Sequence, residues 1–354
     1  MERFEHGGNI YQEPPGNTTW LDFSANINPL GLAPRVWQAL HENITGVIHY
    51  PEPEGKTLCQ ALSAAYQIPD AYLLLGNGAA ELFYLYMHTF RPQKIVLPVP
   101  SFGEYERSAR AAGAEIRYLY LQEKEQFAYP FQELKAACAW ADCLLLGQPN
   151  NPTGTLADKG QLLSLVEYAA ACHTDVLVDE SFVDFLPQPQ RYSLLDAVPQ
   201  FDNLFVLHSL TKFYALPGLR LGFGALTPAR RQQLQAHKDC WNVNLLAQCA
   251  GIAALQSTRY QEQTRSYVQE EKDWLYGQLR SLPGLTVYPP SVNFIFWRLQ
   301  EGSAADLAAA LRKKGMLIRD CANYPGLTPA YGRLAVRLHE ENEKLLANLA
   351  SILI

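Results

Sequence analysis

Four short stretches of the chain carry residue types that can do chemistry, and each follows an apolar run. In SLTKFYALPGLRLGFG, Ser209 to Gly224, Lys212 stands just after the run NLFVLHSL, with hydroxyls at Ser209 and Thr211 and a guanidinium at Arg220. An amine held partly out of water gives up its proton more easily and becomes a nucleophile, and an arginine nearby can bind a phosphate with two hydrogen bonds. In VLVDES, Asp179 and Glu180 close a second run, where a carboxylate is costly to bury unless a cation or strong donors meet it. In LLLGQPNNPTG, Leu144 to Gly154, amide side chains including Asn151 crowd a Gly/Pro turn. In LLLGNGAAELF a run stops at Gly76, Asn77 and Gly78 and a helical pattern begins, so free N–H groups can point at a phosphate.

Taken singly, each stretch has an ordinary reading. A lysine after a strand is commonly solvated, a structural arginine could satisfy Asp179, and Asn/Pro turns and GxG turns occur without any ligand. Together they are a reactive amine, a carboxylate for a pyridinium nitrogen, an amide for a phenolic oxygen and a phosphate nest. That set is what pyridoxal phosphate requires.

The elements that must position these groups are short apolar runs at 72–76, 94–99, 115–121, 143–149, 175–181, 203–210 and 220–226. They do not alternate with polar residues, as expected for strands buried on both faces, and helical patterns separate them. The expected fold is α/β: a large domain with a mostly parallel seven-stranded sheet, then a small α+β domain. After residue 227 a polar and aromatic helical stretch, roughly 228–282, leads into LTVYPPSVNFIFWRL, AADLAAALRKKG and GRLAVRL, read as strands, a helix and a strand. The expected divisions are 1–40, an N-terminal segment packing on the small domain, 41–255, the large cofactor-binding domain, and 256–354, the small domain.

The 354 residues are 48 % hydrophobic with a net charge of -6, which gives no basic footprint for nucleic acid or an anionic membrane. The seven cysteines have no CxxC spacing, so reduced, mostly core-filling thiols and no metal site are expected. No apolar run approaches about 18 residues and the first residues do not read as a leader, so the expected location is the cytoplasm.

GNG, NNPTG, DES and SLTK with GLRLG, in this order and spacing, resemble the fold-type I aminotransferase superfamily, nearest to its histidinol-phosphate aminotransferase group. The resemblance covers nearly the whole chain. HGGN (6–9), DFSANINPLG (22–31) and RDCANYPGL (319–327) look like the threonine-phosphate decarboxylases of cobalamin biosynthesis. The resemblance implies that Lys212 bonds the cofactor, Asp179 pairs with its ring nitrogen and Asn151 meets its phenolic oxygen. It also implies Phe102 stacked on the ring, and Asn77, Gly78, Ser209, Thr211 and Arg220 around the cofactor phosphate. Tyr50 matches a tyrosine that reaches the neighbouring subunit's phosphate, so a homodimer with shared sites follows. For the substrate, Arg333 matches the carboxylate-binding arginine, Asn151 counts among the substrate-binding positions as well, and His6, Gly7, Asn26 and Arg319 match positions around a substrate phosphate. Arg337 is a further cation for which a surface salt bridge is the plainer role. Phe182 stands where many aminotransferases have tyrosine, which removes a hydroxyl from the phenolic oxygen and suits the decarboxylase branch.

The implied activity is decarboxylation of O-phospho-L-threonine to aminopropanol phosphate. The alternatives are an aminotransferase acting on histidinol phosphate or a related amino acid, and a non-catalytic binding protein on the same fold.

Overall fold

A computed structural model describes residues 6–16 and 19–353. Residues 1–5, 17, 18 and 354, which include part of the expected N-terminal segment, lie outside that description. The first strand, β1 (Leu21–Asp22), is followed by β2 (Leu73–Gly76), β3 (Lys94–Val99), β4 (Glu115–Tyr120), β5 (Cys143–Gly147), β6 (Asp175–Asp179), β7 (Leu204–Ser209) and β8 (Gly222–Ala225). The last seven form one sheet in the order β2-β8-β7-β6-β5-β3-β4, in which only β8 runs antiparallel to its neighbours. All seven apolar runs are therefore strands of one mostly parallel sheet.

The two-residue alternation of strand side chains divides them between two cores. Leu144, Leu146, Val176, Val178 and Val206 join the core on one face. Leu145, Leu177, Phe205 and Leu207 join the core on the other. β4 departs from the expected double burial, with Glu115, Arg117 and Tyr120 partly or fully in water. It is the edge of the sheet, and charged side chains there discourage pairing with another chain.

The remaining strands are β9 (Leu285–Val287), β10 (Phe294–Leu299), β11 (Met316–Leu317), β12 (Arg319–Asp320) and β13 (Tyr331–Ala335). Four of them make an antiparallel sheet in the order β12-β13-β10-β9, and β1 pairs with β11 in parallel. Gly332 faces Trp297 across β13 and β10, where a Cβ would lie 2.1 Å from the indole ring. No larger residue fits there. Phe23, Trp297, Leu334, Leu279 and Leu349 belong to the core of this smaller unit.

The stretch 228–282 is not one polar helix. It forms Pro228–Gln235, Leu245–Leu255 and Thr258–Arg280. Asn244 caps the second by accepting the Ala247 N–H at 2.8 Å, and that helix, LLAQCAGIAAL, is apolar and largely buried. Gly251 packs so closely on Leu221 and Leu58 that a Cβ would meet them at 2.6 and 3.0 Å. The N-terminal part divides as well. β1 joins β11, whereas helix Pro34–Asn43 packs on Leu245–Leu255. All seven cysteines are free, with Cys59, Cys138, Cys143 and Cys321 buried.

Candidate active site

The carboxyl ends of β5, β6 and β7 open on one cavity of about 430 Å³, where open α/β sheets bind their ligands. Each strand end delivers a different group. β7 ends at Ser209, which caps the short helix Leu210–Phe213 by accepting the Thr211 N–H and shares a 2.7 Å hydrogen bond with the Thr211 hydroxyl. Lys212 follows on that helix and lines the cavity. The helix is anchored from far away. The Asn28 N–H donates to the Lys212 carbonyl at 3.1 Å, and the Asn28 amide donates to the Phe213 carbonyl at 2.7 Å. Burial, helped by the charges of Arg333 and Arg220 and opposed by Asp179, pushes the Lys212 amine down to about 8. Such an amine is available as a nucleophile near neutral pH.

β6 delivers Asp179, only 7 % exposed, on the same face as Leu177. Its Oδ2 accepts from the Tyr105 hydroxyl at 2.7 Å, and its Oδ1 accepts from the Ser181 N–H at 3.0 Å and from the Ser181 hydroxyl. Burial raises its carboxyl above the ordinary value, although these hydrogen bonds oppose the rise. Among the described residues no side chain makes an ion pair with Asp179, so this buried carboxylate suits a cation that enters the cavity.

β5 runs into the turn NNPTG, whose two asparagines behave differently. The Asn150 amide is spent on the turn, donating to the Pro100 carbonyl at 2.9 Å and the Thr153 hydroxyl at 2.8 Å. Asn151 lines the cavity, and Arg333 Nη1 donates to its Oδ1. The Asn151 NH₂ is thus the group left to donate. Arg333 is also held by the Ser24 carbonyl at 2.8 Å, and its Nε has no hydrogen-bond partner.

Arg220, at a positive φ of 58°, lies over Gly78, where a Cβ would come within 2.4 Å of Nη2. Gly78 itself has φ 82°, so this position both needs the left-handed backbone and lacks room for a side chain. The Asn77 N–H is taken by Glu81 at 2.7 Å and the Gly78 N–H by the Gly76 carbonyl at 2.8 Å. Ala79 and Ala80 open the helix Ala79–Phe90, where the first N–H groups have no carbonyl one turn back within the helix, and Ala80 lines the cavity.

His6, Gly7, Asn26, Phe102 and Arg319 line the same cavity as Lys212. Gly7 sits on Ser24, with no room for a Cβ, and the Gly8 N–H donates to the Ser24 hydroxyl at 2.8 Å. Asn26 is buried with Oδ1 unpartnered. Arg319 is buried, donates to Asn323 Oδ1 at 2.6 Å and faces Arg333 across β12 and β13. Phe182 also lines the cavity and packs edge-on against Phe294 at 5.1 Å.

Asn77, Gly78, Ser209 and Thr211 do not line the cavity themselves but adjoin residues that do, Ala80 and Lys212, whereas Tyr50 and Arg337 stand elsewhere. Tyr50 is 79 % exposed, stacked on Trp241 at 4.6 Å, and lies outside the cavity of its own chain. Arg337 pairs with Glu341 at 3.1 Å, its plainer role.

Sequence reading passed over Tyr105, Asn28, Glu104 and the Ala79 and Ala80 amides. For Tyr105 a signal existed, because SFGEY places it three residues after Phe102 on one helical face.

The donor and acceptor set fits pyridoxal phosphate. A nucleophilic amine, a buried carboxylate with no ion-pair partner among the described residues, the Asn151 amide and the helix start at Ala80 beside Arg220 line one cavity.

Comparison with known proteins agrees with this chemistry. A family model described as aminotransferase class I and II matches residues 18–349. The threonine-phosphate decarboxylase of Salmonella typhimurium is 38 % identical over 358 residues, covering 98 % of this chain and 96 % of its own. The crystal structure of the histidinol-phosphate aminotransferase from Clostridium acetobutylicum superposes with a TM-score of 0.88 at 29 % identity, covering 93 % of this chain and 98 % of that one. That of the L-threonine-O-3-phosphate decarboxylase from Porphyromonas gingivalis superposes with 0.83 at 28 %, covering 94 % and 98 %.

Proposed function

The chain belongs to the aminotransferase class I and II family, and from that membership we propose that it is a pyridoxal-phosphate-dependent decarboxylase of O-phospho-L-threonine, releasing CO₂ and leaving aminopropanol phosphate. One observation carries the reading: a single cavity is lined by Lys212 together with more cationic and amide groups than one anion needs, Arg333 with its cross-strand neighbour Arg319, and His6 and Asn26. A substrate with both a carboxylate and a phosphate uses them.

The cofactor, when bound, supplies a conjugated pyridinium ring that accepts the electron pair of a bond broken at Cα. Lys212 would hold it covalently, Asp179 would keep its ring nitrogen protonated, and Asn151 would donate to its phenolic oxygen. Arg220, Ser209, Thr211 and the Ala79 and Ala80 amides would take its phosphate.

Arg333, fixed by Asn151 and the Ser24 carbonyl, would bind the substrate carboxylate. Arg319, His6, Asn26 and the backbone at Gly7 would bind the substrate phosphate. Holding the substrate at both ends restricts rotation about Cα and so selects which of its bonds is broken. With the C–C bond broken and CO₂ released, Lys212 is the group placed to deliver a proton to Cα. Its amine, brought down to about 8, can both hold and give that proton near neutral pH. Phe102 and Phe182 line the site with apolar surface that keeps water from the reacting carbon.

A homodimer in the cytoplasm belongs to the same reading. Trp37, Ile44, Val47, Ile48 and Tyr50 are exposed apolar side chains within one short segment, and Trp241 stacks on Tyr50. Burying them against a second copy would bring Tyr50 to the neighbouring site.

Incubating the protein with O-phospho-L-threonine, and assaying CO₂ against glutamate formed from 2-oxoglutarate, tests the proposal. CO₂ release without glutamate is expected. Glutamate without CO₂ would make the protein an aminotransferase, and a protein that takes up no cofactor would be no enzyme of this kind.

A further inference from the structure

Besides Asp179, one other carboxylate lines the cavity among the described residues: Glu104, 8 % exposed, in the first turn of the helix Gly103–Ala111. Its Oε1 accepts from His6 Nε2 at 2.8 Å and from Arg107 Nη1 at 3.3 Å, and its Oε2 accepts from the Tyr84 hydroxyl at 3.1 Å. Burial pushes the Glu104 carboxyl up, but the hydrogen bonds from His6 and Tyr84 and the charge of Arg107 outweigh burial and hold it below its ordinary value. A negative charge in a cavity built for a dianion opposes the ligand unless that charge is engaged elsewhere. Here it is engaged by His6.

His6 depends on this contact for its aim. No helix or strand holds residues 6–16. The backbone beside His6 is pinned at Ser24, through the close approach of Gly7 and the Gly8 N–H. The ring is steered by Glu104 and by Phe102, whose ring centre lies 5.6 Å away. Because Glu104 takes Nε2, the nitrogen left for a ligand is Nδ1. A ring with protons on both nitrogens donates to Glu104 through one and to a phosphate through the other.

We propose that Glu104 is a positioning residue for the substrate phosphate: it holds the His6 ring so that Nδ1 is presented to the phosphate, and thereby sets the preference for a phosphorylated over an unphosphorylated amino acid. The proposal rests on the phosphothreonine reading above. Glu104 touches neither the breaking bond nor the groups around Lys212, so its effect falls on substrate affinity and not on the chemical step.

The test uses holoenzyme and compares wild type with Glu104→Ala, Glu104→Gln, His6→Ala and the double variant His6→Ala/Glu104→Ala. CO₂ release gives KM and kcat for O-phospho-L-threonine, and the change in cofactor absorbance gives the affinity for L-threonine. Glu104→Ala raises KM about tenfold, the size of one hydrogen bond to a charged group, with kcat within about twofold. Its affinity for L-threonine stays at the wild-type level. Glu104→Gln, which keeps an acceptor oxygen for Nε2, recovers most of the KM. In the His6→Ala background the second substitution adds nothing, because Glu104 acts through His6. An unchanged KM in Glu104→Ala, an equal loss of affinity for both ligands, or additive effects in the double variant each overturn the proposal. A wild type that releases no CO₂ from O-phospho-L-threonine instead removes the functional reading, and this proposal with it.

Discussion

Asp179 and Glu180 are adjacent in sequence and end on opposite faces of the central sheet, with opposite fates. Glu180 is fully engaged. Its Oε2 accepts from the Ser193 hydroxyl at 2.6 Å and pairs with His208 Nε2 at 2.8 Å, and its Oε1 accepts from the Leu194 N–H at 2.6 Å. His208 in turn stacks on Phe223 at 4.9 Å. On the other face Asp179 has hydroxyl and amide donors but no ion-pair partner among the described residues, while Lys212, Arg220 and Arg333 share its cavity. A buried charge that finds its counter-charge inside the chain holds the fold together. Charges kept close but without an ion pair among the described residues, with Asp179 and Arg333 buried, Lys212 partly buried and Arg220 exposed, are what a ligand completes.

Six substitutions and two pH titrations test this contrast. The largest effect is expected at Lys212. Lys212→Ala lowers CO₂ release by more than about 10⁴-fold and removes the absorbance band of lysine-bound cofactor, with the melting temperature of the cofactor-free protein little changed. On the other face, Glu180→Ala leaves His208 buried without its counter-charge and destabilises the fold by about 3–5 kcal/mol in chemical denaturation. Any kcat that survives there is near wild type.

That pair also predicts a pH slope. Burial alone would lower the His208 pKa, but Glu180 outweighs it and raises the value. A group raised on folding stabilises below its unfolded value and loses that contribution as pH rises through the folded value. Wild-type stability should therefore decline as pH passes above the ordinary histidine range, and His208→Gln should lack that decline.

Asp179→Asn comes next. Losing one preorganised charge at the reacting centre costs about 10²–10³-fold in kcat, measured by CO₂ release, while stability holds or improves because a buried unpaired carboxylate is gone. The smallest effect is expected at Tyr105→Phe, about tenfold in kcat, since it removes one hydrogen bond to Asp179 and leaves the charge in place. The Lys212 amine can be titrated directly. Covalent capture of pyridoxal phosphate by the cofactor-free protein should speed up as pH rises through about 8, and Arg333→Gln should move that midpoint upward, because Arg333 is a charge that lowers it.

Much of this was legible without coordinates. The apolar runs marked all seven strands of the large sheet, because a strand buried on both faces has little choice but Leu, Val and Ile. The polar residues closing those runs marked the cavity, because a parallel strand ends where the ligand crevice opens. β4 was misread as doubly buried because a short apolar run does not say whether its strand is central or at the edge. The stretch 228–282 reads as polar and helical without its divisions, because its breaks depend on a cap at Asn244 and its middle helix, LLAQCAGIAAL, is apolar and largely buried. Tyr105 was missed because its partner lies 74 positions away, and Glu104 because His6 lies 98 positions away.

The chain order of amine, carboxylate, amide and glycine turn is a local property, and the sequence by itself determined it, along with the strands that carry those groups. The resemblance already singled out Asp179 and Asn151, and the tertiary structure shows what separates them from their neighbours. It set Glu180 against His208 and Ser193 on the far face, spent the Asn150 amide on the turn, and engaged the Asn77 and Gly78 N–H groups with Glu81 and Gly76. It also brought His6, Arg319 and Arg333 to Lys212 from both ends of the chain. The physical reason is the same in each case. What a charge or an amide does depends on which counter-charges and donors surround it once water is excluded, and those partners come from distant parts of the sequence.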